Sequence, residues 1–356
     1  MKVYNVIGVM SGTSLDGLDI AHCMFTLNKN QQWEFKIISF ITVDFDIYLK
    51  KKLTQATEIC GLELMKLHNE FGNFIGHSIE AFIKKNQIKK EIIDCISSHG
   101  HTIFHQPNIH LTTQIGNGAN ISAITKLPVI CDFRTIDVAL TGQGAPLVPI
   151  GDRLLFHKYD YCINLGGIAN ISYEENNERI AFDVCPVNIV LNKLSQELGK
   201  SFDKNGKLSE SGNLNLDLLN KLNGLSYYNE LHPKSLGIEW ILQYVFPLLN
   251  SYNINVEDKL RTFVEHIAIQ IGKTIISDNK KILITGGGAF NSFLVQQIKS
   301  QTDIDVIIPE PNLINFKEAL IFAFLGILRL KNEPNCLQSV TGATENSIGG
   351  CIYQAF

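Results

Sequence analysis

The chain has 356 residues, of which 45% are hydrophobic and 19% charged, and its formal net charge at pH 7 is −4. This length accommodates two domains, and the interspersed charges argue against nucleic acid or an anionic membrane as a partner. The sequence contains no run of 18 apolar residues, and a strand pattern begins at Val3 without a signal peptide. Eight scattered cysteines without a CxxC pair are typical of reduced thiols, so we expect a soluble cytoplasmic protein.

The first informative segment is a turn rich in glycine and hydroxyl groups, GVMSGTSLDGLD, between two apolar strand patterns. Backbone N–H groups in such a turn converge on a concavity that suits a phosphate, and glycines permit close approach. Carboxylates there would repel a bare phosphate, which predicts a bridging Mg²⁺ or a hydroxyl proton for them to accept. An ordinary hairpin turn is the alternative. The candidate nucleotide-binding residues are Gly12, Thr13, Ser14, Leu15, Asp16, Gly17 and Asp19.

A third strand and a long helical stretch follow, and then a short buried strand is predicted at 94–98. This strand is expected to present the segment HGHTIFHQP at its C-terminal end, where open α/β sheets bind ligands. His99, His101 and His105 are candidates for a metal site, although their spacing fits no standard zinc motif. Hydrogen bonding to a substrate and plain loop structure are the alternatives.

The segment VICDFR is predicted to be a strand that ends in Asp132 and Arg134. Alternate strand positions point the same way, and an arginine at a strand end commonly binds a carboxylate or phosphate. A structural salt bridge is the alternative interpretation. The following segment TGQGAPLVP is rich in glycine and proline, which indicates an inter-domain crossing or a mobile loop.

The second half begins with YCINLGGIANISY, which repeats the order of strand, glycine turn and strand, with Gly166 and Gly167 in the turn. This repetition indicates two related α/β domains that face each other. The segment AFDVCPVNIVLNKL runs from a strand into a helix and places Asp183 at the junction, where a helix N-cap is the alternative role. In KILITGGGAFN, a buried strand runs into glycines 286–288, against which an adenine or ribose can lie.

Three glycine-rich turns at strand ends are what an actin-like ATPase needs, and the chain resembles the anhydro-N-acetylmuramic acid kinase family of the acetate and sugar kinase, Hsp70 and actin superfamily. The resemblance implies two actin-like (ribonuclease H-like) α/β domains, 1–135 plus 338–356 and 136–337, with an ATP cleft between them. It extends over essentially the whole chain. The motifs that carry it are, in chain order, GVMSGTSLDGLD, SSHGHTIFHQP, CDFRTIDVAL, GQGAPLVP, NLGGIANIS, HPKSLG, ITGGGAFN, KEALIFAFL and SVTGA.

The resemblance implies a kinase that opens the 1,6-anhydro ring of a muropeptide-derived sugar with water and phosphorylates the freed O6 with ATP. It assigns Asp183 as the general base, Asp16 as the Mg²⁺ residue acting through water, and Arg134 as a partner for the lactyl carboxylate. A homodimer is consistent with the family. The implied nucleotide residues in the second half are Gly166, Gly167, Gly286, Gly287, Gly288 and Asn291, and the implied sugar residues are His99, Gly100, His101, Asp132, Arg134 and Glu318. For Glu318, near the start of an apolar helix, a favourable interaction with the helix dipole is the alternative.

Several residues differ from the usual family pattern, mostly in motifs on the sugar side. Val184, Cys185 and Val187 replace a threonine and two glycines, and side chains at such positions are expected to reshape the sugar pocket. A kinase for a different sugar and a non-catalytic, nucleotide-responsive sugar sensor are therefore alternative functions. The other differences are His101 for a glutamine, Asp152 for a histidine and Ile238 for an arginine.

Overall fold

The computed structural model describes residues 2–12, 15–275, 280–302 and 304–355, which form two compact units. The first unit runs up to Leu155 and resumes at Phe316, and the second unit runs from Phe156 to Asn315. Within the described residues, no helix combines the length and the apolar character needed to cross a bilayer. All eight cysteines lie in described segments and are free thiols.

The first unit is built on one mixed sheet with the strand order β12-β6-β4-β1-β2-β3, and β5 pairs with β4. Its strands are β1 (Val3–Ser11), β2 (Leu18–Leu27), β3 (Trp33–Val43), β4 (Cys95–Gln106), β5 (Leu111–Ile115), β6 (Val129–Cys131) and β12 (Cys351–Tyr353). Its helices are α1 (Ile47–Thr54), α2 (Gly61–Lys85), α3 (Gly118–Thr125), α4 (Thr135–Ala139), α5 (Val148–Leu155), most of α13 (Pro311–Leu330) and α14 (Gln338–Thr341).

The second unit is built on a sheet with the strand order β11-β10-β7-β8-β9. Its strands are β7 (Tyr161–Leu165), β8 (Ile168–Glu175), β9 (Glu178–Pro186), β10 (Lys281–Thr285) and β11 (Asp305–Ile307). Its helices are α6 (Asn188–Glu197), α7 (Lys207–Ser211), α8 (Leu216–Asn223), α9 (Ile238–Trp240), α10 (Phe246–Asn250), α11 (Val256–Lys273) and α12 (Ser292–Ser300).

The two sheets share one topology. In each, the first three strands form an antiparallel meander, and later strands add in parallel on the other side of the first strand. This strand order is that of the ribonuclease H-like fold, so the prediction of two related α/β domains is confirmed. The connections between parallel strands contain helices, as a parallel crossover requires.

The helices that cover the sheets each bury one apolar face. Helix α2 buries Phe71, Ile75 and Ile79, which recur every four residues and therefore lie on one side of the helix. Helix α11 does the same in the second unit with Phe263 and Ile267. Each unit thus has its own hydrophobic core, as an independent domain does.

The unit boundaries differ from the predicted domain boundaries at 135/136 and 337/338. Helix α5 and the part of α13 beyond Asn315 belong to the first unit because they pack against each other there. A Cβ at Gly151 would lie 2.7 Å from Cγ1 of Ile321, and the Lys317 ammonium lies 2.7 Å from the Asp152 carboxylate. The segment TGQGAPLVP, predicted as an inter-domain crossing, lies within the first unit instead.

The close contact between β1 and α13 gives a test of this packing. A Cβ at Gly8 would lie 2.0 Å from the main-chain oxygen of Ala319, and a backbone atom cannot rotate away. We expect Gly8→Ala to lower the unfolding free energy of the first unit by about 1–3 kcal/mol. Urea unfolding followed by Trp33 fluorescence in a Trp240→Phe background reports on this unit, because the chain contains two tryptophans.

The matched control is Gly61→Ala at the start of α2. A Cβ there meets nothing within 4 Å, so stability should be unchanged or slightly raised. Equal stability of the Gly8 and Gly61 variants would contradict the packing of α13 on β1.

Candidate active site

Two strands of the first sheet, β1 and β6, end beside the middle of β4 and bring predicted residues of this unit together. β1 is parallel to β4, and β4 is parallel to β6, so the segments after Ser11 and Cys131 lie on the same side of the sheet as His101. The register pairs Ser11 with His101. Open α/β sheets bind ligands at such an edge.

The turn from Gly12 to Asp19 is described except for Thr13 and Ser14, which lie outside the described residues. Leu15 has φ 58° and its N–H donates to the Gly12 oxygen at 3.2 Å. Gly17 has φ 154°, and a Cβ there would lie 2.9 Å from the Val43 oxygen, so only glycine fits.

Two carboxylates of this turn lie close enough to repel each other. Asp16 is exposed, whereas Asp19 is half-buried and accepts a hydrogen bond from Thr42 Oγ1 at 2.6 Å. Burial raises the pKa of Asp19, and the charge of Asp16 raises it further. A cation beside Asp16 would relieve this repulsion, and carboxylate oxygens suit Mg²⁺, so the residues fit that ion.

β4 is longer than the predicted strand at 94–98, because its second half pairs with β5 as a hairpin. His99 and His101 therefore lie inside a strand, and the prediction that they follow its end is wrong. Gly100, between them, has φ 75°, and a Cβ there would lie 2.5 Å from the Ile115 oxygen. His101 is buried with Nδ1 2.9 Å from Ser11 Oγ, and burial lowers its pKa to about 4, so its ring is neutral at pH 7.

Arg134 is held between a histidine and a main-chain oxygen. Its Nε donates to His99 Nε2 at 2.9 Å, and its Nη1 donates to the Gly144 oxygen at 2.6 Å. His99 Nδ1 lies 3.0 Å from the Gly100 oxygen, which places the proton on Nδ1 and leaves Nε2 as the acceptor. Burial and the Arg134 charge lower the pKa of His99 well below its usual range. Burial lowers the pKa of Arg134 to about 10, so the guanidinium remains charged at pH 7.

The prediction that Asp132 and Arg134 point the same way along a strand is wrong. β6 ends at Cys131, Asp132 has φ 64°, and Arg134 precedes the first turn of α4. Asp132 turns towards α4 instead, where its carboxylate accepts a hydrogen bond from the Thr135 hydroxyl. Arg134 alone of the pair therefore belongs to the cluster around His99.

Glu318 lies near this cluster on α13. The helix begins at Pro311 and is interrupted at Phe316 (φ −115°, ψ 16°), so Glu318 lies near the start of the helical segment that follows the interruption. Phe322, one helical turn later, lies 4.6 Å from the His99 ring, measured between ring centroids. The Glu318 side chain is exposed to solvent, but protein groups surround it and remove part of its hydration, which raises its pKa. The positive charge of Arg134 lowers the pKa and offsets part of this rise.

The alternative of a histidine metal site is not favoured by the structure. Among the described residues, no three His, Cys, Asp or Glu side chains are placed to hold one ion. His99 and His101 instead bond to Arg134 and Ser11.

The two glycine turns of the second unit lie side by side, because β7 and β10 are parallel neighbours. Gly286 has φ 81°, and a Cβ there would lie 2.8 Å from the Leu165 oxygen, next to the Gly166–Gly167 turn. Asn188 at the start of α6 donates from Nδ2 to the Gly166 oxygen at 2.7 Å. A Cβ at Gly288 would meet Leu165 Cβ at 2.7 Å, so this turn packs closely against the end of β7.

A cavity of ≈ 450 Å³ opens beside these turns in the second unit. Gly287 faces it, since a Cβ there would meet only Asn188 Nδ2, at 3.8 Å. Asn291 lines it and also caps α12 by accepting from the Leu294 N–H at 3.0 Å. The lining residues are Asn188, Leu191, Asn192, Phe202, Asp203, Lys204, Asn205, Gly287, Phe290 and Asn291.

Most of these lining residues were missed by sequence reasoning. Asn188 and Asn192 are one turn apart on α6 and face the same way, a signal that the polar spacing in VNIVLNKL contains. Phe202 is 55% exposed and lines the cavity. The loop that carries it gives no such signal in the sequence.

Asp183 lies inside β9, opposite Asn170 of β8, and not at the predicted strand-to-helix junction. Val187 occupies the N-cap position of α6, so the N-cap alternative for Asp183 is wrong. The Leu236 N–H donates to Asp183 Oδ2 at 2.9 Å, and the Tyr227 hydroxyl donates to its main-chain oxygen at 2.6 Å. Burial raises the pKa of Asp183, and the bond from Leu236 partly offsets this rise.

The substitutions around Asp183 do not reshape a pocket as expected. Val184, Cys185 and Val187 are buried in the hydrophobic core of the second unit. Their side chains therefore replace other core contacts. Two further residues that differ from the family pattern are also buried: Asp152 pairs with Lys317, and His101 bonds to Ser11. Ile238, by contrast, is 42% exposed.

The paired ribonuclease H-like sheets, with glycine turns at their strand ends and a cavity beside two of them, define a protein of the actin-like ATPase and sugar kinase class. The family model described as anhydro-N-acetylmuramic acid kinase matches residues 4–355. The chain belongs to the anhydro-N-acetylmuramic acid kinase family, and it is a phosphotransferase with an alcohol group as acceptor.

Curated relatives are similar over nearly their whole length. The anhydro-N-acetylmuramic acid kinase of Hydrogenovibrio crunogenus is 33% identical in an alignment of 369 positions that covers 99% of this chain and 98% of that protein. That of Francisella tularensis subsp. novicida is 33% identical in an alignment of 373 positions that covers 97% of each chain. Among solved structures, (R)-2-hydroxyglutaryl-CoA dehydratase component A of Acidaminococcus fermentans is 12% identical with a TM-score of 0.45, covering 90% of this chain and 96% of that chain.

Because Asp183 is partly buried, we expect its negative charge to lower the free energy of unfolding. Because the pKa is raised in the native state, stability falls as pH rises from the usual aspartate range through the native pKa. We expect Asp183→Asn to raise the melting temperature at pH 7, since asparagine still accepts from Leu236 without a charge. The gain should shrink as pH is lowered towards the usual aspartate range.

Asp203→Asn serves as the comparison in the same unit. Its two carboxylate oxygens accept from the N–H groups of Leu208 and Ser209, so asparagine loses a bond and should lower the melting temperature. A lower melting temperature for Asp183→Asn at pH 7 would show that this carboxylate stabilises the fold instead.

Proposed function

We propose that the protein is an ATP-dependent kinase for 1,6-anhydro-N-acetylmuramic acid, which serves the recycling of cell-wall sugars. Water adds to the anomeric carbon as its bond to O6 breaks, and the γ-phosphoryl group of ATP passes to O6. The products are N-acetylmuramic acid 6-phosphate and ADP. The names of relatives that match almost the full chain support this substrate. The single observation that carries the mechanism is the half-buried carboxylate of Asp183, held by the Leu236 N–H.

Asp183 is the general base in this proposal. Its carboxylate accepts a proton from the water that attacks the anomeric carbon. The raised pKa makes it a stronger base than an exposed aspartate, and the bond from the Leu236 N–H orients the carboxylate. The Tyr227 hydroxyl holds the main chain of the same residue. No arginine or lysine donates to the carboxylate among the described residues, which keeps it available for the proton.

The cluster around His99 in the first unit would bind the sugar. Arg134 has five N–H donors, of which two bond to His99 and Gly144, so others remain for the lactyl carboxylate. Glu318 is solvent-accessible and can accept hydrogen bonds from sugar hydroxyl groups. The ring of His101 is buried against Ser11 behind this cluster, and because it is neutral it adds no charge there.

The cavity of the second unit would bind the adenosine of ATP. It is lined by asparagine side chains and by Phe202, whose exposed ring offers a stacking surface for adenine. The turns Gly12–Asp19 and Gly166–Gly167 would bind phosphates through main-chain N–H groups. Mg²⁺, held through water by Asp16, would neutralise charge between the β- and γ-phosphates.

The two alternative functions have less support. The kinase for a different sugar was favoured by the residues after Asp183, which the fold places in the core. A non-catalytic sensor does not need a half-buried carboxylate with a raised pKa, because binding alone requires no base.

The kinetic role of Asp183 is tested by Asp183→Asn. We expect turnover to fall by about 10²-fold or more, the usual scale for loss of a general base, with the ATP dissociation constant unchanged. ADP release measured with 1,6-anhydro-N-acetylmuramic acid gives turnover, and calorimetry gives ATP affinity. The same assay with other anhydro-sugars tests the substrate.

Asp217→Asn, an exposed substitution on α8, is the matched control and should leave turnover unchanged. Wild-type turnover in Asp183→Asn would assign the base to another group, and faster turnover on a different anhydro-sugar would replace the proposed substrate.

The nucleotide site is tested by Gly287→Val. The backbone of Gly287 does not have a positive φ and a Cβ has room there, so the fold should tolerate valine while the cavity becomes smaller. We expect ATP affinity to fall by about 10-fold or more, with sugar affinity nearly unchanged. Leu231→Ala, which truncates an exposed side chain in the same unit, is the control. Unchanged ATP affinity in Gly287→Val would place adenosine elsewhere.

A further inference from the structure

A fully buried carboxylate on α4 has no part in the site described so far. Asp137 has 0% of its surface exposed. Its Oδ2 accepts from the Gly144 N–H at 2.7 Å, and its Oδ1 accepts from Thr341 Oγ1 at 2.8 Å and from the Cys336 thiol at 3.0 Å. Burying a carboxylate costs free energy of folding unless hydrogen-bond donors satisfy its oxygens. Three donors do so for Asp137.

The bond to Oδ2 connects Asp137 with Arg134 through a single residue. Gly144 donates its N–H to Asp137 and accepts from Arg134 Nη1 with its oxygen, so one peptide segment joins the two side chains. The main chain of Gly144 has φ 67°, and a Cβ there would lie 2.6 Å from Val138 Cγ2. Glycine adopts this conformation readily and has no Cβ to clash, so the segment fits between the two side chains.

The loop around Gly144 is packed directly on the carboxylate. A Cβ at Gly142 would lie 2.3 Å from Asp137 Oδ2, and the Gly142 N–H donates to the Asp137 main-chain oxygen at 2.8 Å. The loop cannot approach Asp137 more closely, and it cannot move away without breaking the bond from Gly144. Asp137 thus sets where the Gly144 oxygen lies.

That oxygen is one of two anchors on the guanidinium of Arg134, and His99 Nε2 is the other. Two anchors fix both the position and the plane of the guanidinium, whereas one anchor leaves it free to rotate. A planar guanidinium must be oriented before it can bind a carboxylate through two parallel bonds.

We propose that Asp137 is a positioning residue for sugar binding, which orients Arg134 through Gly144 so that the guanidinium meets the carboxylate of an acidic sugar. This inference rests on the proposed role of Arg134 at the lactyl carboxylate. Asp137 itself does not touch the substrate.

The experiment is a double-mutant cycle on Asp137 and Arg134, in which the readout is the sugar KM, measured with the proposed anhydro-sugar at saturating MgATP. We expect Arg134→Gln to raise the sugar KM by about 10²-fold, because a charge-assisted bidentate pair is lost. Asp137→Asn should raise it by about 10-fold in the wild-type background, since a neutral group replaces the charged acceptor. In the Arg134→Gln background it should change the sugar KM by less than about twofold.

The ATP KM separates positioning from general damage to the fold, and it should stay constant in every variant. Thr341→Val is the matched control, because it removes a donor to Oδ1 but leaves the bond from Gly144 to Oδ2. It should lower the melting temperature without changing the sugar KM. If Asp137→Asn does not fold, Asp137→Glu keeps the charge but displaces the oxygens, and it should show the same dependence on Arg134.

The outcomes distinguish this inference from the proposed function. An unchanged sugar KM in Arg134→Gln would overturn both the role of Arg134 and the inference. A raised sugar KM in Arg134→Gln, with an unchanged or additive effect of Asp137→Asn, would overturn the inference alone. Equal rises in the sugar KM and the ATP KM would likewise show that Asp137 only stabilises the fold.

Discussion

The direction of the strands is the constraint on which both candidate sites depend. In each sheet the first strand pairs in antiparallel fashion with the next strand and in parallel with a later one. The segments that follow parallel strands therefore share one edge. In the first unit this edge collects the turn after Ser11 and the residues after Cys131, and in the second it collects the two glycine turns after Leu165 and Thr285. If one of these strands ran in the opposite direction, the segment that follows it would lie at the other edge of the sheet, out of reach of side-chain contacts with the rest of the site.

Each candidate site contains an ionisable group whose pKa is shifted by burial. In the first unit, Arg134 keeps its proton at pH 7 although burial lowers its pKa to about 10, and the neighbouring His99 and His101 are neutral. In the second unit, burial raises the pKa of the Asp183 carboxylate. Hydrogen bonds with the main chain hold both groups, because Arg134 donates to the Gly144 oxygen and the Leu236 N–H donates to Asp183. This is the pattern expected where a site is organised for a ligand and not for folding alone.

Much of this organisation is predictable from the sequence, because it is local. The glycine turns, the amphipathic helix α11 and the repeated meander follow from short-range patterns and from backbone conformations that only glycine adopts readily. Register and pairing partners are not local, and they could not be predicted. The hairpin of β4 with β5 places His99 within a strand, and the short β6 separates Asp132 from Arg134. Val184 and Cys185 follow a polar residue, and only the sheet shows that they face the core.

The central claim is that one carboxylate and one nucleotide site perform hydrolysis of the anhydro bond and phosphorylation together. It is tested most directly by incubating the protein with MgATP and 1,6-anhydro-N-acetylmuramic acid and determining product masses by mass spectrometry. The account predicts one sugar monophosphate whose mass includes one added water, formed in equal amount with ADP. A sugar phosphate that keeps the anhydro ring, or ADP formed without any sugar phosphate, would contradict it.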